Sequence, residues 1–160
     1  MRNCSFTGHR IIDEKYIKPL EELLVRAIDY VYSQGCRNFY CGGAIGFDTM
    51  AAKAVISARM KKPDMRLIIV IPCKSQADKW SERERSVYEF VLASADEVVY
   101  VSEEYTDDCM RRRNQHLVDV CDVLIAFSGK ARSGSAQTVR MAVAKERIVY
   151  NLHTKISNCV

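Results

Sequence analysis

Five short stretches hold the residues able to grip an anion. They are Thr7-Gly8-His9-Arg10, Gly42-Gly43-Ala44-Ile45-Gly46-Phe47-Asp48, Pro72-Cys73-Lys74-Ser75, Arg111 to Asn114, and Ser128-Gly129 through Ser133-Gly134-Ser135. Two adjacent glycines allow a turn with positive φ and let backbone N–H groups approach a negative group closely. Gly46 opens a helix, whose N-terminal dipole favours negative charge. Ser133-Gly134-Ser135 repeats that arrangement with Thr138 one turn further on; the hydroxyls suit a phosphate, and equally an N-cap. Arg111-Arg112-Arg113 sets three cations close to a helix N-terminus, where the macrodipole opposes them, so the fold gains by placing one beside an anion. Arg113 is expected to be that one, because Asn114 and the stripe Met110, Leu117, Val118 place it nearest the sheet, with Asp107 and Asp108 partnering the others in solvent. His9 and Arg10 follow Gly8 at the end of the first strand and are expected in the same site.

Several sharper chemistries fail on spacing. A dinucleotide fingerprint needs glycine at 41, 43 and 46, but position 41 is Cys, and no acid closes the strand Leu67–Ile71 to hold a ribose. The Gly-Lys-Ser/Thr ending of a phosphate loop is absent too. Gly42, Gly43 and Gly46 therefore read either as an anion loop or as a close strand–helix turn. Asp48 suits a ligand hydroxyl or simply the helix dipole. Cys41 and Cys73 end strands without a nearby basic pair in sequence to make a thiolate. His116 and His153 read as structural or surface residues, and Trp80, in a segment with Lys74 and Lys79, either stacks on a base or packs its helix.

The elements that must position these residues alternate. Residues 3–7 form a weak strand around Phe6; Ile17, Leu20, Leu24, Ala27, Ile28 and Val31 predict a helix over about 15 to 34 that stops at Gly35. The strand Asn38 to Cys41 leads into a one-sided helix carrying Phe47, Met50, Ala51, Ala54, Val55 and Ala58, which ends before Pro63. Arg66 to Ile71 is apolar without alternation, as expected for a strand buried on both faces. Trp80, Val87, Tyr88, Val91, Leu92 and Ala95 stripe a third helix, Glu97 to Val101 is a strand, and about 108 to 120 is helical. The strand Asp122 to Phe127, a helix after Gly134 and the strand Arg147 to Tyr150 complete the series. Such alternation predicts an α/β fold, a three-layer Rossmann-like sandwich with a mainly parallel sheet, and ligands at the carboxyl ends of its strands.

Composition bounds the rest. A chain of 160 residues, 48% hydrophobic and 28% charged, has the profile of one globular domain over 1–160 and excludes disorder or collagen. The 24 Lys and Arg against 20 Asp and Glu leave +4, comfortable with an anionic ligand but below the dense basic patches of a duplex-DNA binder. Seven scattered cysteines with no Cys-x-x-Cys fit neither a disulfide framework nor a zinc site, and no metal is expected. The longest apolar run, Leu67 to Ile71, is far below the roughly 20 residues of a membrane span, and the segment Met1 to Phe6 lacks a signal-peptide core. A cytoplasmic protein, off the membrane, is the expectation.

The same residues carry a family resemblance. Thr7 to Arg10, Gly42 to Ala51, Arg113-Asn114 followed by Val118-Asp119 and Asp122 to Ala126, and Gly134-Ser135-Ala136-Gln137-Thr138 resemble the YpsA-like branch of the SLOG superfamily. That superfamily also includes the DNA-processing protein A and the Lonely Guy cytokinin-activating enzymes. The resemblance covers almost the whole chain and implies a Rossmann-like fold with a pocket for a nucleotide or nucleotide-derived ligand. The Lonely Guy enzymes, which cleave the N-glycosidic bond of nucleoside monophosphates, resemble Pro-Gly-Gly-x-Gly-Thr-x-x-Glu in their last loop. Here no proline precedes Ser133, and Thr138 stands where the glutamate would be. Glycosidic cleavage needs a carboxylate, and Asp48, Glu82 and Glu84 are the nearby ones, outside any recognisable catalytic pattern.

The expectation is thus binding or sensing of a nucleotide or ADP-ribose-like anion, with no certain cofactor. Gly42, Gly43, Gly46, Gly134 and Ser135 would hold phosphate, Arg10 and Arg113 would neutralise it, and Thr7, Asp48 and Asn114 would bond sugar or base; Gly8, His9, Ser133 and Thr138 complete the set. The alternatives are an N-glycosidic hydrolase or transferase with Asp48 or Glu82 as acid/base, or single-stranded nucleic-acid binding. The low net charge and the lack of aromatics among the basic run argue against nucleic acid. Self-association is left open.

Overall fold

A computed structural model of the chain describes residues 2–156. Six strands form one sheet: β1 (Arg2–Gly8), β2 (Cys36–Cys41), β3 (Arg66–Cys73), β4 (Glu97–Ser102), β5 (Val123–Phe127) and β6 (Ile148–Asn151). Six helices follow them in turn: α1 (Glu14–Ser33), α2 (Phe47–Arg59), α3 (Glu82–Ser94), α4 (Cys109–Val120), α5 (Gly134–Ala144) and α6 (Leu152–Ile156). The order across the sheet is β4-β3-β2-β1-β5-β6, and every pair is parallel. This is the three-layer Rossmann-like sandwich.

The layers follow from which faces are apolar. Phe6, Phe39, Leu67, Ile69 and Ile125 meet Leu24 and Ile28 of α1, Phe47 and Val55 of α2, Val91 of α3 and Ile156 of α6 in one large core. The opposite face of the sheet packs on α4 and α5 through Leu117, Val118, Leu124 and Ala142. A right-handed crossover between parallel strands fixes these sides: α1, α2 and α3 step outward from β1 to β4, and α4 and α5 cross on the other face. The chain therefore leaves β1 and β5 for opposite faces, and a crevice opens between their carboxyl ends.

Local chemistry starts the helices. Asp13 caps α1 by accepting from the Lys15 N–H, and Ser81 and Glu84 close a reciprocal capping box on α3. That box corrects the placement of Trp80, which lies in the turn before α3; its ring meets Tyr88 edge-on at 5.1 Å, a packing contact. β3 runs through Pro72 to Cys73, two residues beyond the apolar run, and α6, which follows β6 without a loop, has no sequence signal strong enough to predict it. Cys4, Cys36, Cys41, Cys73, Cys109 and Cys121 are free and buried; burial pushes the thiols of Cys4 and Cys41 well up and that of Cys121 to about 11, so they pack as small apolar groups. Cys159 lies outside the described residues. Among the described residues no helix is long and apolar enough to cross a membrane.

Candidate functional site

The crevice at the end of β1 and β5 is a cleft of about 320 Å³. Its walls are Thr7, Gly8, His9 and Arg10 at the end of β1, Ala44 and Asp48 at the start of α2, Met110, Arg111, Arg113, Asn114 and Leu117 on α4, and Ser133, Gly134, Ser135 and Gln137 at the start of α5. Segments more than a hundred residues apart thus share one cavity, as expected for a doubly wound sheet.

Arg113 is the inward cation, 6% exposed. Its Nη1 donates to the Gly42 carbonyl at 2.6 Å and its Nε to Asn114 Oδ1 at 3.0 Å. Asp48, equally buried, accepts from the Ala44 N–H at 3.2 Å. Burial pushes the Asp48 carboxyl up, with Arg113, the Ala44 N–H and Arg10 pulling against it; burial also pulls the Arg113 guanidinium down, with Asp48 opposing. Both charges are held out of water at the base of an open cleft.

Gly42 makes that arrangement fit. A Cβ there would stand 2.5 Å from Arg113 Nη1 and 2.8 Å from Asp48 Oδ2. Gly43 and Gly46 serve the turn instead, at φ +71 and +80. A side chain on Gly46 would run into the backbone carbonyls of His9 and Arg10, and the Phe47 N–H donates to His9 O at 3.0 Å. Gly46 thus locks the β2–α2 turn against the β1–α1 turn, while Gly43 packs toward Ile69 and Ile71 of β3, and both lie off the cleft wall.

The third wall is the loop from Ser128 to Ser135. Ser133 caps α5 by accepting from the Ala136 N–H at 3.1 Å, and its hydroxyl lies 3.1 Å from that of Ser135. Ser135 Oγ donates to Ser128 Oγ at 3.2 Å and lies 3.4 Å from His9 Nδ1. The Gly129 N–H donates to His9 Nε2 at 2.8 Å. Burial pulls the His9 imidazole below its ordinary value, helped by Lys130 and His153, so the ring is neutral at pH 7. The N–H groups of Gly134 and Ser135, at the first positions of α5, have no intrahelical acceptor by the geometry of a helix start.

The remaining candidates lie elsewhere. Thr138 is fully buried and bonds back to Gly134 O at 3.0 Å, away from the wall. Glu82 is exposed in the first turn of α3, and Glu84 is engaged by Ser81 and borders a second groove of about 560 Å³ between α1, α2 and α3. Asp48 is the one acid among the cleft-lining residues. His153 packs on Phe127 at 5.2 Å, and His116 borders a shallow surface groove beside Val99 and Tyr100. Arg112 is bound to the Val101 carbonyl at 3.1 Å. Arg111, expected in solvent with an acidic partner, lines the cleft rim, and so does Gln137, whose signal is its position one turn beyond Ser133 and Gly134.

The YspA SLOG family model matches residues 8–156. A UPF0398 protein of Bacillus thuringiensis (strain Al Hakam) is 24% identical over 144 residues, covering 89% of this chain and 78% of its own. Among solved structures, the DNA processing protein A of Streptococcus pneumoniae superposes with a TM-score of 0.66 at 18% identity over 94% of this chain, which spans 50% of that protein. The DNA processing protein A of Helicobacter pylori, whose structure describes a single-stranded DNA binding mode, gives a TM-score of 0.65 at 16% identity, with 92% of this chain and 63% of that one covered.

Proposed function

The chain belongs to the YspA SLOG family, and on that premise we propose that the cleft between β1 and β5 binds a nucleotide or a nucleotide-derived anion. The observation that carries this reading is Arg113: a buried guanidinium, fixed by Gly42 and Asn114, on the wall of an open cavity. A desolvated cation at such a place favours an anionic guest. Arg10 and Arg111 at the rim add charge, so that the cleft lining holds three arginines against the single carboxylate of Asp48. Phosphate would sit on the N–H groups of Gly134 and Ser135, with Thr7, Asp48 and Asn114 within reach of sugar or base. At about 320 Å³ the cleft is at the small end of ligand sites, which suits one nucleotide unit.

Calorimetric titration with inorganic phosphate, AMP, ADP and ADP-ribose tests the proposal. Micromolar affinity for at least one nucleotide is expected, weakened about tenfold or more by Arg113→Ala and less by Arg111→Ala at the rim. Failure of every ligand to bind, or binding indifferent to both variants, overturns it.

A single strand is the polymeric form of the same chemistry. The likeness to a fold whose Helicobacter pylori example binds single-stranded DNA, together with the exposed Arg10 and Arg111, favours it as a second reading. A single-strand affinity exceeding that for AMP and falling steeply with salt would select it.

A further inference from the structure

His9 carries a hydrogen-bond pattern that a ligand-contacting histidine does not need. The Gly129 N–H donates to Nε2 at 2.8 Å, so that nitrogen must keep its lone pair. The ring proton then sits on Nδ1, which lies 3.4 Å from Ser135 Oγ. The Ser135 hydroxyl in turn donates to Ser128 Oγ at 3.2 Å. Both ring nitrogens are thereby committed to the β5–α5 loop, and in this tautomer neither takes a proton from the Ser135 hydroxyl. The ring is wedged between Phe127, whose centroid is 5.8 Å away, and His153 at 6.5 Å. Ser128, the near end of the loop, is tied separately to β6: its N–H donates to Asn151 Oδ1 at 3.1 Å and the Asn151 amide donates to its carbonyl at 2.8 Å.

We infer that His9 is a proton-sensitive clasp, a positioning residue whose neutral imidazole joins the end of β1 to Gly129 and Ser135 and so holds the start of α5 in place along the cleft. Protonation puts a hydrogen on Nε2 directly against the Gly129 N–H, turning an attraction into a donor–donor clash, while Asn151 still anchors Ser128. The opening therefore runs from Gly129 to Ser135. The charges around the ring set when this happens: Lys130 on the loop and His153 on α6 oppose a second positive charge, and burial acts in the same sense. Arg10 adjoins His9 in the chain, and Asp48, Arg111 and Arg113 line the same cleft. The consequence for an anion rests on the function proposed above, because Gly134 and Ser135 are its phosphate groups there; the clasp itself does not.

The test uses the full chain without ligand, so that its outcome is separate from that of the binding titrations. In ¹⁵N-labelled protein the His9 ring is followed between about pH 7.5 and pH 5, with the amide shifts and exchange protection of residues 129 to 135. The expected result is an Nδ1–H tautomer at the upper end and a Gly129 amide shift that moves with the His9 midpoint. Protection of the loop is expected to fall by about fivefold to tenfold as the ring protonates, the scale of one hydrogen bond. His9→Gln, whose carbonyl can accept but does not titrate, should hold the loop protected at both ends of the range, and His9→Ala should lower protection throughout. An Nε2–H tautomer, a Gly129 amide indifferent to the His9 titration, or unchanged protection in His9→Ala each overturns the clasp.

Discussion

Arg113 Nη1 lies 2.6 Å from the carbonyl oxygen of Gly42, across 71 residues of sequence. That bond ties the middle of α4 to the end of β2 and holds the guanidinium where a side chain on residue 42 would otherwise be. The site thus depends on the missing Cβ of Gly42 as much as on the charge of Arg113.

Gly42→Ala and Gly46→Ala should therefore behave differently. At Gly42 the nearest obstacles are the ends of Arg113 and Asp48, which can swing aside, so the variant should fold at a cost near the lower end of about 1–3 kcal/mol and lose anion affinity about tenfold or more. At Gly46 the obstacles are backbone carbonyls and φ is +80, so a fall in melting temperature above about 5 °C is expected in thermal unfolding. Equal melting temperatures for the two variants would contradict this account.

Asp48→Asn removes the one carboxylate from a cleft lined by three arginines. Titration with inorganic phosphate should show binding about fivefold tighter, since a buried negative charge no longer opposes the anion. The preference for AMP over phosphate should shrink in the same variant, because the acceptor for a sugar hydroxyl is weakened. An unchanged ratio would remove Asp48 from the nucleoside end of the cleft.

The stability of the protein should depend on pH through His9. Its folded value is lowered, so between that value and the ordinary 6.5 the unfolded chain binds more protons than the folded one. The contribution is complete above 6.5 and is lost as pH falls through the folded value. The melting temperature of the wild type should drop over this window by more than that of His9→Gln; parallel curves for the two would refute the assignment.

Thr138→Val should leave AMP affinity within about twofold and stability within about 1 kcal/mol, both read by titration and thermal unfolding. The hydroxyl is bound to Gly134 O inside its own helix and does not face the cleft. A loss of affinity comparable to that of Arg113→Ala would return Thr138 to the site.

How much of this was legible beforehand varies with the range of the interaction. The alternation of apolar strands and one-sided helices appears in the local spacing of residues such as Leu24, Ile28 and Val31, so the strands and the first five helices could be located to within a few residues, while the short α6 could not. The inward turn of Arg113 was also legible, because Leu117 and Val118 lie on the same helix as a ready gauge of its buried face. Trp80 was misplaced because an apolar residue just before a capping box extends the helical stripe without belonging to the helix. Arg111 could not be distinguished from Arg112 by period alone; which cation reaches the rim and which turns to Val101 depends on where β4 ends.

The sequence by itself determined the layered α/β architecture and the gathering of the Gly-, Ser- and Arg-rich turns at one edge of the sheet, since strand direction follows from helix-length crossovers. Only the tertiary structure decided what each residue does at that edge: Gly42 makes room for a guanidinium, Gly46 admits a neighbouring backbone, and His9 meets Gly129 across 120 residues. Local periodicity governs burial within an element, whereas hydrogen bonds between turns depend on how far each strand runs and which way its turn folds back.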